Sequence, residues 1–208
     1  MSTLIFLRHG HSAANAKDLL TGQLPGVGLS PQGKKQALGL VERIGKGRID
    51  YLHISPIERC QLTVDPWLRS KNSSSLTRLE IVDGISEIDF GSWSGRKLSS
   101  LRREPLWKDV QKRPSQVTFP DGESFRKAQK RAVAAVEEIQ SMRGEKMHLI
   151  VSHSDTIKLV IAHYLQMKLD AFQSLHVSPA SFSILRTGKS GISIPVINSN
   201  QTLKELIG

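Results

Sequence analysis

The sequence predicts an α/β fold, a three-layer sandwich with a mostly parallel central sheet, helices on both faces and a small helical and loop excursion over the active site. Two observations carry this expectation. Short apolar runs of strand-forming residues alternate with segments whose apolar residues recur at helical spacing, the order of a buried sheet crossed by amphipathic helices. Two of those runs, Leu4-Ile5-Phe6-Leu7 and Met147-His148-Leu149-Ile150-Val151-Ser152, break almost at once into histidine, at His9 and His153. In such sheets ligands gather outside the carboxyl ends of the strands, so both histidines fall where chemistry is expected.

The opening strand ends in Arg8-His9-Gly10. Ser30-Pro31 then reads as an N-cap followed by proline at the first helical position, with Ala37, Leu40, Val41 and Ile44 on one face and Gly45 and Gly47 as the stop. A second strand over residues 50–54 stops at the Ser55-Pro56 turn, and a helix follows over about residues 57–70. A serine-rich loop over residues 71–75 precedes a third strand at 79–82, which leads into the loop Ile85-Ser86-Glu87-Ile88-Asp89-Phe90-Gly91. Residues 93–120 have weak periodicity and several prolines, which predicts short helices and loops outside the sheet rather than a core element. Asp121-Gly122-Glu123-Ser124 opens the clearest helix, carrying Phe125, Ala128, Ala132, Val136 and Ile139 on one face and closed by Gly144. After the strand at 147–152, His153-Ser154-Asp155 leads into an apolar helix over 156–165. Residues 181–185 and 192–197 are read as final strands, one of them an antiparallel edge, and the tail after Asn198 carries no signal.

The 208 residues suffice for one sizeable core, and residues 1–208 are read as a single domain with the excursion at about residues 93–121. The single cysteine, Cys60, is read as a buried small hydrophobe; it excludes an internal disulfide and a cysteine metal cage, and fits a reducing, cytoplasmic location. No apolar run approaches the ~20 residues of a membrane span, and Arg8, His9 and Gly10 interrupt the only N-terminal candidate for a leader. The net charge of +10 makes a surface that attracts nucleic acid, anionic membrane or acidic small substrates alike. Eleven basic against four acidic residues lie between Arg96 and Arg131, supplying seven of those ten charges. The segment is either a solvated helical face or an electropositive wall over an anion site.

Taken together, Arg8-His9-Gly10, Ser55-Pro56-Ile57-Glu58-Arg59-Cys60, the Glu87 loop and Ser152-His153-Ser154 fall on one rim of the predicted sheet. In order and spacing these motifs resemble the histidine phosphatase superfamily, which includes cofactor-dependent phosphoglycerate mutase, over nearly the whole chain from Leu4 to about Leu165. The resemblance implies that His9 carries the transferred phosphoryl group and that Arg8, Arg59 and His153 form the phosphate pocket. It further implies that Asn15, Thr21, Gly22 and Ser154 line the substrate and that Glu87 handles the proton. It implies no cofactor and no metal.

Elementary chemistry favours the same types. Neutral imidazole approaches a phosphomonoester without the repulsion an anionic nucleophile meets, provided its far nitrogen is pinned, which the Gly10 turn can do with a backbone acceptor. Fixed cations stabilise the charge that spreads over the equatorial oxygens, a role for Arg8, Arg59 and His153. A carboxyl group of raised pKa protonates the departing alkoxide and then takes a proton from water; Glu87 is the first choice and Asp89 the alternative. His53, His148, His163 and His176 lack metal-ligand spacing and are read as structural.

Two features depart from the family pattern. His11 stands where relatives commonly hold glutamate, and the loop Glu87-Ile88-Asp89-Phe90-Gly91-Ser92-Trp93-Ser94-Gly95 is similar to the family's phosphatases rather than its glycolytic mutases. The expected function is therefore a metal-independent phosphomonoester hydrolase acting through phosphohistidine on a small anionic phosphometabolite. The alternatives are mutase-type transfer between hydroxyls and, ranked lower, a non-catalytic protein holding nucleic acid or another partner. A small phosphorylated substrate is the expected partner, with no nucleic acid and no membrane, and a homodimer among the assemblies the sequence allows.

Overall fold

The computed structural model describes residues 2–142, 144–188 and 191–207. In chain order the elements are β1 (Ser2–Arg8), β2 (Leu19–Leu20), α1 (Pro31–Ile44), β3 (Tyr51–Ile54), α2 (Glu58–Leu68), β4 (Arg78–Ile81), β5 (Arg96–Lys97), α3 (Leu98–Leu101), α4 (Trp107–Lys112), α5 (Phe125–Ser141), β6 (Met147–Ser152), α6 (Ser154–Tyr164), β7 (Phe182–Gly188), β8 (Gly191–Ser199) and α7 (Leu203–Ile207). Six strands form one sheet in the order β4-β3-β6-β1-β7-β8. The pairs β4–β3, β3–β6 and β6–β1 are parallel, as predicted from the strand and helix alternation.

Alternation along β1 shows why the sheet is buried on both faces. Ile5 and Leu7 point to one side, against Leu40 and Ile44 of α1 and Val64 and Trp67 of α2. Leu4 and Phe6 point to the other, against Ala132, Val136 and Ile139 of α5 and Ile157, Val160 and Ile161 of α6. Burial of apolar surface at roughly 25 cal/mol per Å² drives both layers. The α1 and α5 helices start at Ser30 and Ser124, whose hydroxyls accept from the amides of Gly33 and Lys127.

Several expectations need correction. The antiparallel edge strand expected among the last two is β8, which pairs antiparallel with β7; what the sequence did not indicate is that β7, inside the sheet, also runs antiparallel to β1. The edge strand β8 is largely exposed and carries Pro195, a residue tolerated where one side of the ladder is free. The other edge, β4, is also mostly exposed rather than buried. The excursion is not devoid of a core: Trp93, Leu101, Val110, Val117 and Phe119 pack with Phe125, Leu159 and Phe172 into an apolar cluster of their own. Its β5 pairs with β2 in a ribbon that the sequence did not suggest, and the tail forms α7, whose Leu203 seals the α1 side of the core.

Candidate active site

Each strand that ends on the carboxyl rim hands its next residues to one cavity of about 150 Å³, lined among others by Arg8, His9, Asn15, Thr21, Gly22, Arg59, Glu87, Ser154 and Asp155. His9 follows β1 and is buried, with its amide donating to the Ser152 carbonyl at 2.9 Å, which locks the β1 and β6 loops together. Its Nδ1 lies 2.7 Å from the Gly10 carbonyl, an acceptor, so the proton sits on Nδ1 and the lone pair on Nε2, which faces the cavity side of Arg59. Arg59 Nε donates to that Nε2 at 3.2 Å. Burial, then the Arg59 and Arg8 cations, hold the His9 pKa well below the usual imidazole range, so the ring is neutral.

Arg59 enters from the first turn of α2 and is 2% exposed. Its Nη2 donates to the Gly22 carbonyl at 2.7 Å and to His153 Nδ1 at 3.1 Å. His153 therefore carries its proton on Nε2, which meets Ser55 Oγ at 2.8 Å. The two imidazole rings stand 5.1 Å apart, centroid to centroid. Arg8 Nη1 donates to the Val177 carbonyl at 2.6 Å. Arg59 Nη1 and Arg8 Nε are buried donors without a protein partner. Two orphaned guanidinium N–H groups beside a neutral imidazole make a receptor for a tetrahedral oxyanion, since burying such donors unpaired is otherwise costly.

Glu87 faces these cations from the loop after β4, with Oε1 accepting from its neighbour's amide, Ile88, at 3.1 Å and from Thr156 Oγ1 at 3.3 Å. Burial, then the Asp155 carboxylate, push its pKa up. Asp89 is used elsewhere: its Oδ1 accepts from the Gly91 amide at 2.9 Å, and it is not part of the cavity lining. Asp155 was read only as part of a helix start; it lines the cavity and pairs with Lys158 at 2.8 Å. Asp155→Asn removes the anion that raises Glu87, so the Glu87 carboxyl is expected to titrate at lower pH than in the wild type, read by carboxyl 13C NMR.

The remaining predicted residues separate cleanly. Asn15 and Thr21 reach the cavity wall, Gly22 offers its carbonyl to Arg59, and Ser154 lines the floor and meets the Val177 carbonyl at 3.4 Å. His11 is turned away: its Nδ1 meets Ser30 Oγ at 2.9 Å and its backbone amide donates to Gln36, so it belongs to the seat of α1 and is not among the residues lining the cavity. Cys60 is fully buried and burial pushes its thiol up to about 12. Among the described residues no group of three or more His, Cys, Asp or Glu is placed to hold a metal ion, and no helix is long and apolar enough to cross a membrane.

His163 and His176 are exposed. His53 and His148 stack within the sheet, with Nε2 of the first 3.1 Å from Nδ1 of the second, and burial lowers both pKa values to about 4. Between pH 6.5 and 4 the unfolded chain then binds more protons than the folded one, so stability is full above about 6.5 and is lost as the pH falls. One such shift is worth about 3 kcal/mol at pH 4. The urea midpoint is expected to fall over that window, and less steeply in His148→Phe.

The model of the histidine phosphatase superfamily (branch 1) matches residues 4–200. Phosphoserine phosphatase 1 of Hydrogenobacter thermophilus is 30% identical over 190 residues, covering 89% of this chain and 86% of the relative. A 2,3-bisphosphoglycerate-dependent phosphoglycerate mutase of Thermoplasma acidophilum is 25% identical over 197 residues, covering 89% and 87%. Among solved structures, the alpha-ribazole phosphatase from Shigella flexneri superposes with a TM-score of 0.84 at 24% identity, covering 96% of this chain and 98% of that one, a likeness of fold.

Proposed function

The chain belongs to the histidine phosphatase superfamily, and from that premise we propose how its residues divide the work of hydrolysing a small phosphomonoester through a phosphohistidine. His9 Nε2 attacks phosphorus while the Gly10 carbonyl holds the opposite nitrogen. Phosphate oxygens take up the orphaned N–H groups of Arg8 and Arg59, and His153 completes the pocket. The bond from phosphorus to the ester oxygen breaks, and that oxygen leaves with the proton of Glu87. Water then attacks the phosphohistidine, Glu87 takes a proton from it, and inorganic phosphate departs with His9 restored. The observation that carries this reading is a neutral, pinned imidazole facing two buried guanidinium groups with unmatched donors.

Within the small phosphometabolites, phosphoserine ranks first, supported by the named activity of the Hydrogenobacter relative over most of both chains. The mutase relatives favour a second reading, transfer between hydroxyls. Hydrolysis is preferred because the Glu87 loop lacks the mutase pattern noted above. Incubation with phosphoserine and with 3-phosphoglycerate, following free phosphate and 2-phosphoglycerate, separates them. Phosphate release is expected; isomerisation of 3-phosphoglycerate without phosphate release overturns the hydrolase reading. The buried free thiol supports a cytoplasmic location, and residues 1–208 are taken as one functional unit that needs no nucleic acid.

A further inference from the structure

The mechanism leaves without a task an ion pair between buried Glu123 and half-buried Arg131. Glu123, 6% exposed, follows Asp121-Gly122, and Arg131 lies two turns further along α5. Arg131 Nη2 meets Glu123 Oε1 at 2.6 Å, and Arg131 Nε meets Oε2 at 3.1 Å. The same guanidinium spends its remaining donors on the loop that carries Glu87. Nη1 reaches the carbonyls of Gly84 at 2.8 Å and Ser86 at 2.9 Å, and Nη2 that of Glu87 at 2.9 Å. Glu123 accepts from the Asp89 amide at 3.0 Å and its own amide donates to the Asp89 carbonyl at 2.9 Å.

The backbones themselves are pressed together. Gly91 adopts φ +52°, and a Cβ there would run into the Pro120 carbonyl; one on Gly122 would run into the Asp89 carbonyl. Only glycine allows these two turns to touch. Gln23 Nε2 adds a donor to the Glu87 carbonyl at 2.7 Å from the opposite side.

We propose that Arg131, fixed by Glu123, is a positioning residue that holds the backbone of residues 84–89 so that the Glu87 carboxyl points into the phosphate cavity. This rests on the assignment of Glu87 as the acid. Neither Arg131 nor Glu123 is among the residues lining the cavity, and the donors of Arg131 go to Glu123 and to loop carbonyls, so the clamp acts on proton delivery and not on phosphate binding. A proton matters in proportion to how poor the leaving group is: 4-nitrophenol departs as a stable anion near neutral pH, whereas phenol needs help.

First-turnover release of the two phenols from 4-nitrophenyl phosphate and phenyl phosphate reads this directly. Arg131→Gln is expected to lose about tenfold on phenyl phosphate and under about threefold on 4-nitrophenyl phosphate, with inhibition by inorganic phosphate unchanged. The double variant Glu87→Gln/Arg131→Gln is expected to be no slower than Glu87→Gln alone. Glu123→Gln, which keeps an acceptor for the Asp89 amide, is expected to show the same selectivity in weaker form and covers the case in which Arg131→Gln fails to fold. Equal loss on both esters, no loss on either, or additive loss in the double variant overturns the clamp. If Glu87→Gln discriminates between the esters and a folded Arg131→Gln does not, the clamp falls and the acid assignment stands. If Glu87→Gln itself fails to discriminate, both fall.

Discussion

His9→Ala is expected to lose turnover of 4-nitrophenyl phosphate by about four orders of magnitude or more, the size of loss seen when a covalent nucleophile is removed. Labelled phosphoenzyme, stable to base and labile to acid as a phosphohistidine is, should vanish with it in rapid-quench experiments. The fold should survive, because the ring sits at the rim of a polar cavity and the contact it gives up with Arg59 is one of three that guanidinium makes. The wild-type pH profile sharpens the argument. Because the His9 pKa lies well below the usual imidazole range, the ring stays unprotonated into mildly acidic solution, and the acid limb of kcat/KM should fall below pH ~6.5, the ordinary imidazole value. A His9→Ala variant that hydrolysed the ester at the wild-type rate would end the phosphohistidine reading.

What could be read from the sequence were the residues delivered by strand ends. Alternation and β-branched runs fix where a buried strand stops, so the sequence alone puts Arg8-His9, Ser55, Glu87 and Ser152-His153 on one rim. Arg59 was placed by a helix that begins one residue before it. What escaped were contacts with no period behind them. Arg131 stands 44 residues from Glu87 in the chain and looked like one more cation on a basic helix face; its partners are backbone carbonyls, which no side-chain pattern reveals. Asp155 was absorbed into a helix start, and the turn at Gly91 that engages the Asp89 carboxylate has no side-chain pattern to announce it. The basic excursion misled in the same way, because its few apolar residues bury against α5 and α6 from scattered positions rather than at a regular spacing. His11 could not be placed at all from its neighbours, since the hydroxyl that meets it comes from Ser30.

Arg59 carries the second large effect, and two substitutions separate its charge from its shape. Lysine keeps the cation but replaces a planar fork with a single point donor. It cannot meet His9, His153 and the Gly22 carbonyl at once, nor offer the fourth direction that Nη1 holds open. Arg59→Lys is expected to lower kcat by about 10²–10³-fold, the usual toll for removing one well-aimed donor to a developing charge. Arg59→Met removes the charge as well and should lose more, with weaker inhibition by inorganic phosphate. The pH profiles then tell the two apart. The Arg59 cation lowers the pKa of both His9 and His153, so in Arg59→Met the residual activity should fade at higher pH on the acid side than in the wild type, as the histidines begin to protonate. Arg59→Lys retains the cation and should keep the acid limb near its original place. An Arg59→Met enzyme whose acid limb stays where it was would show that burial and Arg8 keep His9 neutral without Arg59; wild-type kcat in Arg59→Lys would remove Arg59 from the phosphate pocket.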